Sequence, residues 1–181
     1  MRQSLSFFSS PVFFFLVILF LGKVDADIVN ETCQKASQGD KGTLQYDFCV
    51  EALRQDPKSH NADLPELGII SANLVKDNAT KIGSLIEELL NDRKSDPNLK
   101  GCLQDCKLHY SVVERNAKTA IESFESKNYK EANTAVGAAL TDAWTCEEAF
   151  QESGLKSLLI AEYNSFHQLG LIALDISYML L

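Results

Sequence analysis

Cysteine and histidine residues are the side chains of this sequence whose spacing is best suited to chemistry. Cys102 and Cys106 are four residues apart and His109 follows three residues later, so a helix would place both thiols on one face. Together with Cys146, these residues are of the types that ligate zinc. His109, however, lies one step off the apolar face that contains the two cysteines, which argues against a metal site. We therefore expect neither a metal ion nor another cofactor.

A serine or cysteine nucleophile has little support from neighbouring residues. Ser153 and Lys156 fit the Ser-x-x-Lys pattern of serine acyl-enzymes, but the accompanying Ser-Asp-Asn and Lys-Thr-Gly motifs are absent from the sequence. The pattern also falls where a turn is predicted, and serine and glycine are expected there anyway. A cysteine nucleophile would need a histidine base, and His60, His109 and His167 lie in no supporting motif. These observations argue against a hydrolase.

Acidic residues are numerous, and most of them fall off the apolar faces. They include Glu87, Glu88, Asp105, Asp142, Glu147 and Glu148. A general acid needs a carboxyl group in a dry pocket, so we expect a solvated acidic face, or a surface complementary to a basic partner. Glu162 interrupts an apolar stripe, and a salt bridge or a wet gap is expected there. Because the net charge is −8, nucleic acid is not an expected partner.

The N-terminus has the pattern of a secretory signal peptide. An uninterrupted apolar run of ten residues, VFFFLVILFL, spans positions 12–21 and is short for a membrane-spanning helix. Lys23 follows the run, and Val24 and Ala26 are small residues at the positions that signal peptidase reads. We predict a signal peptide over residues 1–26 that is cleaved after Ala26, with an uncleaved anchor as the alternative. The cleaved chain would be secreted and would keep no membrane segment.

Secretion changes the interpretation of the five cysteines. In an oxidising compartment they are expected to form disulfides rather than to bind zinc, and an odd number leaves at least one unpaired. Two Asn-x-Thr sequons begin at Asn30 and Asn78, and both are predicted N-glycosylation sites.

Apolar residues between positions 62 and 181 recur at helical spacing. Four stripes begin at Leu67, Leu99, Ala132 and Leu155. Asp63 with Glu66, and Asp96 before Pro97, have the chemistry of helix starts. Because each stripe can be buried only against the others, the pattern predicts an up-down-up-down four-helix bundle with helices of about 22 to 30 residues.

Two shorter helices, over residues 27–38 and 44–55, are expected to precede the bundle as a hairpin. Cys33 and Cys49 are each eight residues from the centre of the glycine-rich turn between them, so a disulfide would staple the hairpin. In the bundle, the turn between the second and third stripes brings Cys106 within one turn of Cys146. Cys102 would lie roughly 10 Å further along its helix, so we predict a Cys106–Cys146 disulfide and a buried free thiol at Cys102. Hairpin (27–56) and bundle (62–181) form one all-α domain over residues 27–181.

A set of short segments in this order resembles the plant invertase and pectin methylesterase inhibitors, and most closely their pollen members. The segments are Tyr46-Asp47-Phe48-Cys49, Asp56-Pro57-Lys58-Ser59, residues 67–73 (LGIISAN), Asp105-Cys106 with Tyr110, and residues 138–150 from Ala138-Ala139-Leu140-Thr141 to Phe150. The resemblance covers essentially the whole mature chain, and it implies the same hairpin, bundle and two disulfides.

The resemblance also implies a role. Members of this family are not enzymes; they bind a secreted carbohydrate-active enzyme and block its substrate cleft. The partner would be an acid invertase or a pectin methylesterase, bound one to one, and the chain would be extracellular in the apoplast or cell wall rather than vacuolar. Cys102 departs from the family's four-cysteine framework. A carrier of small apolar ligands and a non-inhibitory bundle protein are the alternatives.

The turn before the third bundle helix is expected to indicate which enzyme is the target. Invertase-directed members of the family have a Pro-Lys-Phe motif near the start of the third bundle helix, where this sequence has Tyr129, Lys130 and Glu131. Lys130 matches, whereas Tyr129 replaces a proline and Glu131 replaces a phenylalanine, which weakens the case for invertase. Trp144 is expected to pack beside the second disulfide, with an exposed aromatic anchor for a partner as the alternative.

Overall fold

The computed structural model describes residues 27–39, 43–92 and 96–181. Within these ranges the regular structure is entirely helical, and it consists of α1 (Ile28–Gln38), α2 (Tyr46–Arg54), a 3-10 helix (Pro57–Asn61), α3 (Leu64–Asn91), α4 (Pro97–Glu125), α5 (Tyr129–Glu152) and α6 (Ile160–Met179). The all-α prediction is confirmed. The predicted signal peptide and the centre of the hairpin turn lie outside the described residues.

Local sequence chemistry starts the two longest helices where the sequence predicted. At α3, the backbone N–H of Asp63 donates to the Glu66 carboxylate and the N–H of Glu66 donates to the Asp63 carboxylate, each over 2.9 Å. At α4, the Asp96 carboxylate accepts from the Asn98 N–H at 2.7 Å, and Pro97 occupies the first turn. These caps satisfy backbone donors that have no partner inside the helix.

Helices α3 to α6 form the predicted up-down-up-down four-helix bundle. Each helix packs on two others in a closed ring, with α4 between α3 and α5, and α6 between α5 and α3. The core contains buried aliphatic side chains from every helix and four fully buried aromatic rings, those of Tyr110, Phe124, Phe150 and Phe166. Tyr110 and Phe166 meet edge to face, with ring centroids 6.0 Å apart.

Two helices of the bundle end in the same hydrogen-bonded motif. After α4, the N–H of Lys127 donates to the Phe124 carbonyl at 3.0 Å and the N–H of Asn128 donates to the Ser123 carbonyl at 2.8 Å. This Schellman motif requires a left-handed residue, and Lys127 has φ 58°. After α5, Gly154 occupies the equivalent position with φ 65°. A lysine therefore stands where glycine has no steric cost.

Lys127→Gly is expected to raise the free energy of unfolding by about 1 kcal/mol, because the left-handed conformation strains a residue with a Cβ atom. Gly154→Ala is the matched control, and it should lower the free energy of unfolding by a similar amount. Urea denaturation of both variants measures the effect. An unchanged or less stable Lys127→Gly variant would contradict the explanation.

The fourth helix begins later than its apolar stripe predicted. The stripe was expected to be helical from Leu155, but α6 begins at Ile160. Gly154 first turns the chain out of α5, and the Ser157 hydroxyl then accepts from the Leu159 N–H at 3.0 Å. Leu159 is fully buried although it precedes the helix. A non-helical segment thus fills part of the core, and α6 has 20 residues.

The N-terminal hairpin is stapled as predicted and docks on α6. Cys33 of α1 and Cys49 of α2 form a disulfide with 5.7 Å between their Cα atoms. The side-chain amide of Gln168 on α6 accepts from the Gln45 N–H at 2.9 Å and donates to the Thr43 carbonyl at 2.8 Å. One side chain therefore pairs with the backbone just ahead of α2.

Candidate functional site

The antiparallel pair α4 and α5 contains most of the candidate residues of the sequence. Cys106 and Cys146 are joined by a disulfide with 4.6 Å between their Cα atoms, and both are fully buried. The turn residues Tyr129 to Glu131 lie at the other end of the pair, roughly 25 Å from Cys146 along α5 at 1.5 Å per residue. The disulfide and the turn therefore form two separate sites.

Cys102 is a buried free thiol next to the disulfide-linked pair. Its Sγ atom lies 3.2 Å from the Ser153 hydroxyl and 3.5 Å from the Ala149 carbonyl oxygen. No group of histidine, cysteine and acidic residues in the described ranges could hold a metal ion. Ser153, the serine of the Ser-x-x-Lys pattern, thus faces a thiol, and Lys156 is exposed.

His109 crosslinks α4 and α5 near the disulfide. Its Nδ1 atom lies 3.1 Å from a carboxylate oxygen of Asp142, and both side chains are about three-quarters shielded from solvent. The pair is an ion pair only when the imidazole is protonated. With the disulfide, this contact fixes α4 against α5 at two points.

Glu147 is buried, although its place off the apolar stripe predicted a position on the solvated acidic face. Only 2% of the residue is exposed, and its carboxylate accepts from the Ser157 hydroxyl at 3.0 Å. Burial raises the pKa of Glu147, the hydrogen bond from Ser157 opposes this shift, and the nearby Glu162 carboxylate adds to it. The prediction was wrong because helical spacing does not reveal that the non-helical segment before α6 covers this side of α5.

Two other groups surround the Glu147 carboxylate. Glu162 is half-buried and forms no salt bridge with any described residue, so the predicted ion pair is not present there. The hydroxyl of Tyr110 is buried without a hydrogen-bond partner. Burial raises the pKa of this phenol, and the negative charge of Glu147 raises it further by a smaller amount. An ionised Glu147 therefore lies in an environment that disfavours negative charge.

The raised pKa of Glu147 contributes stability that is present in acid and is lost toward neutral pH. The unfolded chain loses this proton near the ordinary glutamate pKa of 4.5, whereas the folded chain retains it to higher pH, so stability falls as pH rises between the two values. Glu147→Gln should flatten that fall and raise stability at neutral pH, because the amide oxygen still accepts from Ser157. Urea denaturation from mildly acidic to neutral pH measures the free energy of unfolding of each variant, with Glu148→Gln as the exposed control. A parallel decline in wild type and Glu147→Gln would contradict the assignment.

The position of Trp144 next to Cys146 predicted a side chain enclosed beside the disulfide, but the side chain is not enclosed. Its side chain is 42% exposed, and its ring centroid lies 6.0 Å from that of Tyr163 on α6. Tyr163 in turn lies 5.8 Å from the ring of His167. The three rings form a row on the α5–α6 side of the bundle, where a partner can reach Trp144.

Of the three candidate residues in the turn before α5, one packs on the core and two are exposed. Tyr129 is half-buried, and its ring centroid lies 6.4 Å from that of the buried Phe124. Lys130 and Glu131 are exposed in the first turn of α5, and the Asn128 side chain caps the helix by accepting from the Glu131 N–H at 3.4 Å. Two opposite charges are thus held on a rigid helix start, with Tyr129 packed on the core behind them.

Known proteins resemble this chain over nearly its whole length. Residues 27–176 match the family described as "Plant invertase/pectin methylesterase inhibitor". A protein of Platanus acerifolia named "Putative invertase inhibitor" is 43% identical over 96% of this chain and 97% of its own length. A "Pectinesterase inhibitor" of Actinidia deliciosa is 30% identical over 82% of each chain.

A solved structure has the same fold. The crystal structure of mutant form A of a pectin methylesterase inhibitor from Arabidopsis superposes with a TM-score of 0.66 at 28% identity, and the match covers 81% of this chain and 93% of that one. Within the described ranges, none of the helices combines the length and the apolar composition that a membrane span requires.

Proposed function

The chain belongs to the plant invertase/pectin methylesterase inhibitor family, and from this premise we propose that it is a protein inhibitor of an acid invertase or a pectin methylesterase. The observation that carries the proposal is the match across the hairpin and all four bundle helices, to relatives named for inhibition of each enzyme. The chain is therefore a binding protein and not an enzyme.

The structure supports inhibition through a rigid surface. Caps, a closed core and a disulfide between α4 and α5 hold the bundle in one shape, so little conformational freedom is lost when a partner binds. An interface of ordinary size would bury about 1,600 Å² in total, and a few anchor residues would supply most of the affinity. We propose a one-to-one complex in the cell wall, reached after residues 1–26 are cleaved and the domain 27–181 is secreted.

Parallel titration against both enzymes tests the proposal. The mature protein, refolded with its disulfides formed, is added in increasing amounts to an acid invertase and to a pectin methylesterase. We expect one of the two activities to fall to a plateau, with an end point at one inhibitor per enzyme. If both enzymes kept their full activity at a large excess of the protein, the proposal would be overturned.

We propose that Lys130 recognises the invertase, if that enzyme is the target. Its ammonium is exposed at the start of α5, where it can enter a cleft that contains the paired carboxylates of a glycosidase. Glu131 beside it opposes this contact, because a carboxylate would be desolvated next to other carboxylates. Tyr129, packed on Phe124, supports the turn from below.

Lys130→Glu is expected to weaken invertase inhibition about tenfold, equivalent to about 1.4 kcal/mol, and to change pectin methylesterase inhibition much less. The reversal places two carboxylates side by side against an acidic cleft. Inhibition constants for both enzymes measure it, and Lys156→Glu, an exposed lysine at the opposite end of the bundle, controls for net charge. Equal losses for both enzymes, or none for either, would show that this turn does not read the target.

A further inference from the structure

A short connector, residues 153–158, joins α5 to α6 and depends on one hydroxyl group. The Ser157 hydroxyl donates to the Glu147 carboxylate at 3.0 Å and accepts from the Leu159 N–H at 3.0 Å. The same oxygen therefore fastens the connector to α5 and satisfies a backbone donor at the start of α6. Gly154, with φ 65°, turns the chain out of α5 at the other end of the connector. Without the bond from Ser157, the middle of the connector would have no polar contact with α5.

The Glu147 carboxylate lies in surroundings that suit a neutral acid better than an anion. The residue is buried, and Ser157 is the one described side chain that donates a hydrogen bond to it. Within the described ranges, no lysine, arginine or histidine forms an ion pair with Glu147. A carboxylate can accept about four hydrogen bonds, so one donor leaves the ionised group poorly satisfied where water is excluded.

The described titratable groups that interact with Glu147 come from α4 and α6, and none of them is a cation. From α4, the buried Tyr110 hydroxyl has no hydrogen-bond partner, and its pKa is raised by burial and then by the Glu147 charge. From α6, the carboxylate of Glu162 repels that of Glu147, and the pKa of Tyr163 is raised by burial and then by the Glu147 charge. Lys156 of the connector is exposed. A proton on Glu147 thus removes an unfavourable charge from three neighbours at once.

We propose that Glu147 is a proton-operated latch on the connector. The protonated carboxyl group is neutral, keeps the bond from Ser157 and holds the connector against α5. When the proton passes to water, the buried negative charge favours opening, in which the bond from Ser157 breaks and water reaches the carboxylate. The latch is closed in an acidic compartment and loosens at neutral pH, and it does not depend on the inhibition of any enzyme.

The direction of the pH effect follows from the two environments of the carboxyl group. In the open form the group is in water and has the ordinary glutamate pKa of 4.5. In the closed form burial raises the pKa of Glu147, the bond from Ser157 opposes the shift, and the Glu162 charge adds to it. Opening is therefore constant in acid and increases above pH 4.5. The increase is up to about tenfold per pH unit, the limit for one proton, until the closed form also ionises.

Cys102 reports this opening, because the end of α5 that leads into the connector covers its thiol. The Sγ atom lies 3.2 Å from the Ser153 hydroxyl and 3.5 Å from the Ala149 carbonyl oxygen. The other four cysteines are in disulfides, so a thiol reagent has one target. Release of the connector frees the last turn of α5 to move away from Cys102. The rate of thiol reaction then measures how often the connector opens.

The test measures the reaction of Cys102 with a dipyridyl disulfide reagent, which reacts with thiols in acid and at neutral pH. Wild type is compared with Glu147→Gln, which still accepts from Ser157 but cannot ionise, and with Glu148→Gln, the exposed neighbour. All are folded with both disulfides formed. Dividing the wild-type rate by the Glu147→Gln rate at each pH removes the pH dependence of the thiol itself. Hydrogen exchange of the connector amides, treated in the same way, gives a measurement that does not involve the thiol.

We expect the rate ratio to be constant below pH 4.5 and to rise towards neutral pH, by up to about tenfold per pH unit. The exchange ratio of the connector should rise in parallel, and Glu148→Gln should behave as wild type. A flat ratio in either measurement would overturn the proposal, because Cys102 would then be reached by an opening that Glu147 does not control.

Ser157→Ala gives a second test that leaves Glu147 in place. The variant should react faster than wild type at every pH, since both charge states of Glu147 lose their donor and the connector loses its contact with α5. The excess should be larger at neutral pH, because a hydrogen bond to a carboxylate is stronger than one to a neutral carboxyl group. An unchanged rate would show that the Ser157 bond does not hold the connector, and would overturn the latch.

Discussion

Joint replacement of Cys106 and Cys146 by alanine should lower the free energy of unfolding by about 4 kcal/mol, the largest effect that we expect from any change in this chain. The disulfide spans 40 residues, and a loop of that length restricts the unfolded chain strongly in the loop-entropy estimate. The loss is a large share of the stability of a domain. Urea denaturation of the double variant measures it.

Two other cysteine variants show whether loop length explains the effect. Replacement of both Cys33 and Cys49, which span 16 residues, should cost less, about 3 kcal/mol. Cys102→Ala should have only the modest cost of a small buried truncation, because no crosslink is lost. If Cys102→Ala were as destabilising as the double variant, the free thiol would have a role that neither its contacts nor the disulfide explains.

Gly68→Ala should destabilise the protein by about 2 kcal/mol, although alanine is the better helix former. A Cβ atom at position 68 would lie 2.5 Å from a ring carbon of Phe124. Phe124 is buried and supports Tyr129 beneath the turn before α5, so the ring has little room to move. Overpacking of about 1–3 kcal/mol then exceeds the gain in helix propensity. Thermal unfolding of the variant measures the net change.

Gly137→Ala is the matched control for Gly68→Ala. Position 137 lies inside α5, and no atom of another element lies within 4 Å of a Cβ atom built there. The same substitution should therefore stabilise by about 1 kcal/mol, the difference in helix propensity alone. Phe124→Leu in the Gly68→Ala background should recover part of the loss. Stabilisation by both alanines would contradict the close approach of α3 and α4.

The bundle could be predicted because local and long-range preferences agree along most of the chain. Asp63 and Asp96 begin helices at the positions that capping chemistry predicts, and the apolar stripes of α3, α4 and α5 are the faces that are buried. The fourth stripe misled at its start, since Leu155 and Leu159 are at least partly buried without being helical. Apolar spacing shows that a residue is buried but does not show its backbone conformation.

Only the disulfide pairing and the free thiol could be predicted from the sequence; the burial of the other candidate residues could not. The structure pairs the same cysteines as the hairpin geometry did, because two antiparallel helices fix which residues are level. Burial of Glu147 depends on Ser157, ten residues away beyond a turn. This contact leaves no periodic trace in the sequence.

The attachment of the hairpin implies that the molecule opens at two levels. Gln168 forms two hydrogen bonds to the backbone ahead of α2, and the hairpin packs on α3 and α6 less extensively than the bundle helices pack on one another. Loss of these contacts would release α1 and α2 together, because the Cys33–Cys49 disulfide still joins them. Subglobal opening of this kind exposes amides without global unfolding. Amide hydrogens of α1 and α2 would therefore exchange as one group, and ahead of those in the core of α3 to α6.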